Sequence, residues 1–556
     1  MVYVTGAELE NVQSALELPP GLVADDGAVD RRWLQHFVDR IPVNVGQALE
    51  PFGYYQTITR TRLEKHQKNG HRVLVEIDPG KPVRITALRV VLVGEGRHLG
   101  ELLRLVDAFP LAVGDVLRQD LYERGKGKLK AEALALGFLA ADFSRHEIRV
   151  DRIRRQAEID LLLDTKQRYH FGTVSFIGAP DYPEWFLNRF LDFSEGEIFS
   201  HEKLGKTQLN LLDSDRFNNV IVAPQSAPTA GDRVPVAIQL SPLPRRRLRP
   251  GVGYGTDTGG RCSLRFQNAN LWHRAHLLKI DLLLAQRRQS LVFTYQVPAA
   301  RNLTSQTAFR LGYTAEDVSS YETRSIFAEV ERVWGFGQGR QGAVFTRLSR
   351  EEYWVGEEHD RSRMILPGFR FSQRRYSQPI RPSRGYGFSF EARGAARSLG
   401  SDVSLLQLLA SGNALLPLPA RFSLWTRVEG GTTLQDEPLE DIPATLRFFA
   451  GGDRSVRGYA YQSLGPKNAQ GETVGGKHLA VASLELEKAL GASWGVACFY
   501  DMGNAFNDLT ALEWAQGAGV GIRYYTQLGP VKIDLARQLG EPDPKWRLHL
   551  SIGLAW

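Results

Sequence analysis

The sequence predicts an α+β region of three β-α-α-β-β modules followed by a 16-stranded antiparallel transmembrane β-barrel. Three observations point there. A pattern of strand, helix pair and strand pair recurs through the first 243 residues. Near Gly251 it gives way to stretches of about ten residues in which every second side chain is apolar, as in a membrane barrel wall. The composition, with 54 Gly, 27 Phe, 18 Tyr and 10 Trp but only 3 Met, favours strands and turns. At 556 residues the chain also exceeds what one core normally holds, so several folding units are expected.

The modules follow from self-comparison. KPVRITALRVVLVGEG, from Lys81, and QRYHFGTVSFIGAP, from Gln167, share a polar opening, alternating apolar residues and a closing Gly. A helical stretch ending in Gly114-Asp115 or Gly196-Glu197 follows each, then a second helix and a turn at Leu136-Gly137-Phe138 or Asp215-Arg216-Phe217. Two strand-like runs close each unit. The N-terminal segment fits the same pattern, with its turn at Phe52-Gly53-Tyr54, and Pro42 is expected to separate its two helices because proline breaks the helical hydrogen-bond ladder. The boundaries read 1–80, 81–166 and 167–243, with a barrel over 247–556. Small three-stranded sheets leave unpaired edges that serve as templates for another chain's strand, or as protected edges of a rigid spacer.

The one long uncharged run, Val403 to Ala420, is interrupted by Gly412, Asn413, Pro417 and Pro419, so it reads as a strand, a proline turn and the next strand. With no helical span, membrane insertion requires a barrel. At the C-terminus Leu548, Leu550, Ile552, Leu554 and Trp556 share one face and Arg547, His549, Ser551 and Gly553 the other. Glu485 and Glu487 oppose Leu484 and Leu486 in the same way, which suits lipid outside and a wet lumen within. The 310 residues from 247 to 556, at about 19 per strand and loop, give about sixteen strands, an even number. A β-sandwich also alternates, but here the charge is gathered on the face opposite the apolar one.

Other features narrow the function. The net charge of +7 is modest for this length. Cys262 and Cys498 lack any CxxC or His-rich neighbourhood, so neither a metal site nor a disulfide framework is indicated, and no cofactor is implied. Met1 leads straight into VYVTGAELE, so a barrel exported to an outer membrane implies that a signal peptide has been removed. The basic stretch PLPRRRLRPG, Pro242 to Gly251, lacks interleaved aromatics and a nucleic-acid fold, which leaves anionic lipid headgroups or a solvated linker.

GGDRSVRGY, Gly451 to Tyr459, joins a glycine turn to two arginines. As a phosphate cradle it would have to open a helix, and none follows. As a barrel loop folded into the lumen it puts Arg457 where an unpaired cation is costly, so inward carboxylates are needed, and Glu485 and Asp501 are the candidates. Val456-Arg457-Gly458-Tyr459, with SLELE and Phe499-Tyr500-Asp501-Met502-Gly503, resembles the signature of the Omp85 superfamily of barrel-assembly and secretion proteins. That resemblance implies that the sixth-loop arginine, Arg457, meets Glu485, Phe499 and Asp501 on the lumen wall, and that the modules are POTRA domains. Three modules point to the translocation and assembly module branch, since BamA-like insertases carry five and two-partner secretion transporters two. Trp556 stands where such barrels often end in Phe.

What the resemblance implies is assembly or translocation of outer-membrane proteins such as autotransporters, with a part in phospholipid transport also allowed. The POTRA modules would lie in the periplasm and dock a TamB-like inner-membrane-anchored protein. Barrel closure must join a first strand containing Gly251, Gly253 and Gly255 to a last strand containing Leu554 and Trp556, and glycine weakens strand pairing there. This seam is expected to open sideways. No catalytic residue is expected, because no bond is made or broken. A passive porin would not need the three modules. A lipase would need a GxSxG with a placed His, which is missing.

Overall fold

The computed structural model describes residues 4–552, apart from 20–21, 23–28, 67–69, 226–230, 379–381, 436–437, 509, 511 and 527–528. Two compact units are distinguished: Met1–Ile177 with Leu191–Leu209 and Val220–Gln239, and Gly178–Phe190 with Asn210–Asn219 and Leu240–Trp556. Among the described residues no helix is long and apolar enough to cross a membrane.

In the first module, helices α1 (Ala7–Ala15) and α2 (Arg31–Leu49) precede the antiparallel pair β1 (Ile58–His66) and β2 (Gly70–Asp78). Asp30 caps α2, accepting from the backbone N–H groups of Arg32 and Trp33. Pro42 does not separate the helices; it lies inside α2, and the break falls between Ala15 and Arg31. The apolar stripe Leu34, Val38, Ile41, Val45 and Leu49 is buried against Val12 and carries the helix through the proline, because packing outweighs the single backbone bond lost.

The second module contains β3 (Arg84–Val93), α3 (Gly100–Asp107), α4 (Gln119–Ala135), β4 (Asp142–Asp151) and β5 (Gln156–Asp164). Its sheet runs β3-β5-β4, with β3 parallel to β5 and β4 antiparallel. One face of β5 buries Ala157, Ile159, Leu161 and Leu163 under the helices, while Asp160 on the other pairs with Arg89 at 2.9 Å. The third module repeats the order with β6 (His170–Ile177), α5 (Glu184–Asn188), α6 (His201–Leu212), β7 (Phe217–Pro224) and β8 (Arg233–Pro242), in a sheet ordered β6-β8-β7. Its core is aromatic, with Phe171 stacked on Phe193 at 3.8 Å between ring centres.

The barrel closes over sixteen antiparallel strands. They are β9 (Arg246–Gly255), β10 (Gly259–Leu271), β11 (His276–Ala285), β12 (Arg288–Pro298), β13 (Gln306–Asp317), β14 (Glu322–Gly335), β15 (Arg340–Val355) and β16 (Glu358–Tyr376). The return half is β17 (Gly385–Ala395), β18 (Leu405–Leu418), β19 (Phe422–Leu434), β20 (His478–Ala489), β21 (Trp494–Phe506), β22 (Ala515–Thr526), β23 (Gly529–Leu539) and β24 (Trp546–Ile552). The basic stretch is not a linker: Arg246 to Pro250 already pair with β10, so the strand begins in the arginines and alternation splits them between the two faces. The run from Val403 resolves into β18, a turn at Pro419–Arg421 and β19.

Alternation sorts the wall into an exposed apolar face, with Val252, Leu484, Val520 and Leu548, and an inner face where Glu329, Glu331, Glu485 and Asp501 are buried. On the far wall the inner charges are paired: Arg347 with Glu329 at 2.7 Å, and Arg370 with Glu391 at 2.7 Å and Glu331 at 2.9 Å. Cys262 and Cys498 are free and exposed, and their cross-strand partners Leu284 and Val520 belong to the apolar face.

Candidate functional site

The chain between β19 and β20 does not project away from the barrel. Its segment around Gly451 packs inward, leaving Val456 fully buried and Arg457 only 5% exposed. Alternation on β20 and β21 brings Ser483 opposite Asp501 and Glu485 opposite Phe499, all on the inner face, which forms a small acidic platform with an aromatic floor.

Arg457 fills that platform. Its Nε donates to Asp501 Oδ2 at 2.7 Å, its Nη2 to Asp501 Oδ1 at 2.9 Å and its Nη1 to Glu485 Oε2 at 2.6 Å, while the guanidinium lies 3.4 Å from the centre of the Phe499 ring. The two-pronged grip on Asp501 depends on the planar guanidinium fork, and the ring face adds a cation–π contact. Its own backbone N–H also donates to Asp501, at 3.1 Å, which locks the loop backbone as well as the side chain. Val456, Gly458 and Tyr459 complete the turn: Gly458 has φ +101°, and the Tyr459 hydroxyl donates to Glu541 at 3.1 Å.

The sequence reading missed half of this network. Arg523 on β22 is fully buried and bridges Glu485, at 2.9 Å, to Asp534 on β23, which also accepts from Arg457 at 3.3 Å. The signal lay in the alternation: Gly517, Gly519, Gly521 and Arg523 share the inner face of β22. Those glycines make a trough, and a Cβ on Gly517 would come within 1.9 Å of the Arg457 carbonyl oxygen.

From there the loop reaches the seam. The Gly458 N–H donates to His549 Nε2 on β24 at 3.0 Å, which leaves Nδ1 to carry the ring proton and donate to Asp453. Asp453 also accepts from the Thr256 hydroxyl at 3.0 Å, and its N–H donates to Asp257 Oδ2 at 2.7 Å, both in the turn after β9. Ligand atoms of Asp257, Asp453 and His549 all lie within 4.8 Å of one another, close enough to receive a cation, but the bonds just described already account for the arrangement. Burial, then the charge of Asp453, pushes the Asp257 carboxyl up to about 6.

Between β24 and β9 the described residues contribute one register pair, Ser551 with Gly255, supplemented by Thr256 N–H to the Leu550 carbonyl at 3.1 Å and Arg261 Nη2 to the Ile552 carbonyl at 3.0 Å. Gly251, Gly253 and Gly255 lie on β9 as expected, whereas Leu554 and Trp556 fall outside the described residues.

Comparison with known proteins gives the same frame. Residues 268–556 match the Omp85 superfamily domain, and residues 4–79 match the first POTRA domain of TamA. The outer membrane protein assembly factor BamA of Nitratidesulfovibrio vulgaris is 20% identical over 401 residues, 69% of this chain and 50% of that protein. The BamA of Buchnera aphidicola is 20% identical over 212 residues, 38% of this chain and 34% of that protein. The chain thus spans about half the length, or less, of these curated relatives. The crystal structure of Haemophilus ducreyi BamA lacking POTRA domains 1–3 superposes with a TM-score of 0.71 at 16% identity, covering 84% of this chain and 99% of that one.

Two outcomes follow. Arg457→Ala strands the buried Asp501 without its cation and leaves Glu485 to Arg523 alone, an expected cost of about 3–5 kcal/mol; Arg457→Lys keeps the charge but loses the fork and recovers only part. The check is the temperature at which the detergent-solubilised barrel loses its heat-sensitive gel mobility, and unchanged values in both variants would count against the bracing. For Asp257, a folded pKa above the ordinary carboxylate value means that the folded barrel holds the proton more tightly, so this contribution to stability is lost as pH rises through about 6. Asp257→Asn should therefore match the wild-type melting temperature near pH 4.5 and exceed it at pH 7.5; a difference independent of pH would contradict this.

Proposed function

Because the chain belongs to the Omp85 superfamily, we propose that it is an outer-membrane subunit that inserts or translocates other outer-membrane proteins by opening its barrel between β9 and β24. The observation that carries this reading is the first strand itself: β9 holds Gly251, Gly253 and Gly255 on one face, with Gly255 opposite Ser551 of β24, and glycine in a strand weakens pairing and packing. An opened seam offers two strand edges, and an incoming strand gains main-chain hydrogen bonds by adding to one of them.

In this reading the bilayer is thinned beside β9, which has 10 residues against 16 in β15 and 19 in β16, and a client strand meets a lower barrier there. Loop six keeps the neighbouring wall in shape during this motion through Arg457. The reaction is a transfer of strand pairing, so no group acts as acid, base or nucleophile.

Within the superfamily the reading extends to the TamA branch. Its support is the match of residues 4–79 to the first POTRA domain of TamA, together with three modules ahead of the barrel. In this reading the modules occupy the periplasm, the first of them docks a TamB-like protein, and autotransporters are among the clients.

The test joins the register pair directly. Gly255→Cys with Ser551→Cys, in a chain whose Cys262 and Cys498 have been replaced, should form a disulfide that stops assembly of a client barrel in proteoliposomes, and reduction should restore it. A locked protein that still assembles its client would remove lateral opening from the mechanism.

A further inference from the structure

The arginines that begin β9 serve no part of the proposed seam or of the Arg457 network. A cavity of about 280 Å³ opens beside them, at the end of the wall where the chain enters the barrel, between the turn at Ser214–Arg216 and the inner faces of β9, β10 and β11. Its lining is strongly cationic, with Arg216, Arg249, Arg265 and Lys279 facing one acid, Asp215.

That acid is already engaged. Arg247 donates to both carboxylate oxygens of Asp215 at 3.0 Å and to its carbonyl at 2.6 Å. Arg265 is held by Asp281. The rest of the positive charge has no such partner: neither Arg249 nor Lys279 makes a side-chain hydrogen bond or ion pair among the described residues, and Nη1 of Arg216 is buried without a hydrogen-bond acceptor. Strand register makes this less favourable still, since Arg249 stands directly opposite Arg265 across β9 and β10. Like charges in that position repel, and a buried guanidinium nitrogen with no acceptor carries a desolvation cost. Nothing in the packing requires four cations here, since Gln267 and Leu277 line the same cavity without charge.

A bound anion resolves all of these. Guanidinium forks match the oxygens of a phosphate, and a lysine adds a point charge. The volume is several times that of one water, about 30 Å³, yet below the roughly 300–1,000 Å³ of sites that enclose whole drug-sized molecules. It suits a phosphate group with its first ester substituent and leaves no room for acyl chains. We propose that Arg216, Arg249 and Lys279, with Arg265 beside them, form a binding site for a phosphate-bearing anion at the entry end of the lumen wall. The shared chemistry is the phosphate, whether free or carried as the headgroup of an anionic lipid. The site does not depend on how the seam works.

The experiment is calorimetric titration of the full chain in a zwitterionic detergent at about 0.15 M salt, where surface charge is screened within roughly 8 Å. The probes are inorganic phosphate, short-chain phosphatidylglycerol and, as control, short-chain phosphatidylcholine. Saturable binding of phosphate or of phosphatidylglycerol is expected, weakened about tenfold or more in the Arg249→Gln, Lys279→Gln double variant, as the loss of charge-assisted hydrogen bonds requires. Phosphatidylglycerol binding without phosphate binding identifies a lipid headgroup; phosphate binding identifies a free phosphate group as sufficient. Both substituted side chains lack partners, so wild-type gel mobility on heating is expected of the variant, and Lys279→Glu alone provides a second comparison. No saturable binding of either anion, equal binding of phosphatidylcholine, or unchanged affinity in both variants overturns the site.

Discussion

The ion pairing of Arg457 with Asp501 and Glu485 is the interaction on which the rest of the barrel interior depends. A cation 5% exposed, held by an acid that is fully buried, is tolerable only when geometry and hydrogen bonding are nearly complete. Here they are, with a two-pronged contact to Asp501, a third bond to Glu485, a ring beneath and a backbone bond behind. This completeness lets the Gly451–Tyr459 segment of the long loop between β19 and β20 pack inside the barrel as part of its structure.

The surrounding wall is shaped to that loop. Gly517 leaves room for the Arg457 backbone, Gly519 and Gly521 leave room for Phe499, Arg523 and Asp534 on the wall, and Arg523 balances the remaining charge of Glu485 and Asp534. The loop then passes its position on to the seam: Gly458 meets His549 on the last strand, and Asp453 meets the turn after the first. Loop, last strand and first hairpin thus share one hydrogen-bonded junction, so a change in any one of them is felt by the other two. That junction adds side-chain hydrogen bonds to the main-chain pairing of Ser551 with Gly255.

Much of this was legible in the sequence because it rests on periodicity and on charge balance. Two-residue alternation exposes the barrel, and the demand that Arg457 find acids singles out Glu485 and Asp501, whose faces follow from the same alternation. Three things were not legible. Pro42 looked like a helix break because the proline rule is local, whereas the buried stripe around Ile41 is tertiary. PLPRRRLRPG reads as a headgroup contact or a solvated linker rather than as a strand, because a run of arginines hides the alternation that only pairing with β10 makes visible. The roles of Arg523, Asp534 and His549 depend on which strands neighbour which, information that no single strand carries.

A double-mutant cycle on Arg457 and Asp501 tests the central claim most directly. Arg457→Met and Asp501→Leu, singly and together, would be compared by equilibrium unfolding of the barrel in detergent or lipid. If the pair holds loop six to the wall, the losses are not additive and the double variant is more stable than their sum by about 1–3 kcal/mol. Losses that add to within about 0.5 kcal/mol would mean that the two residues act independently and that the loop is held by something else.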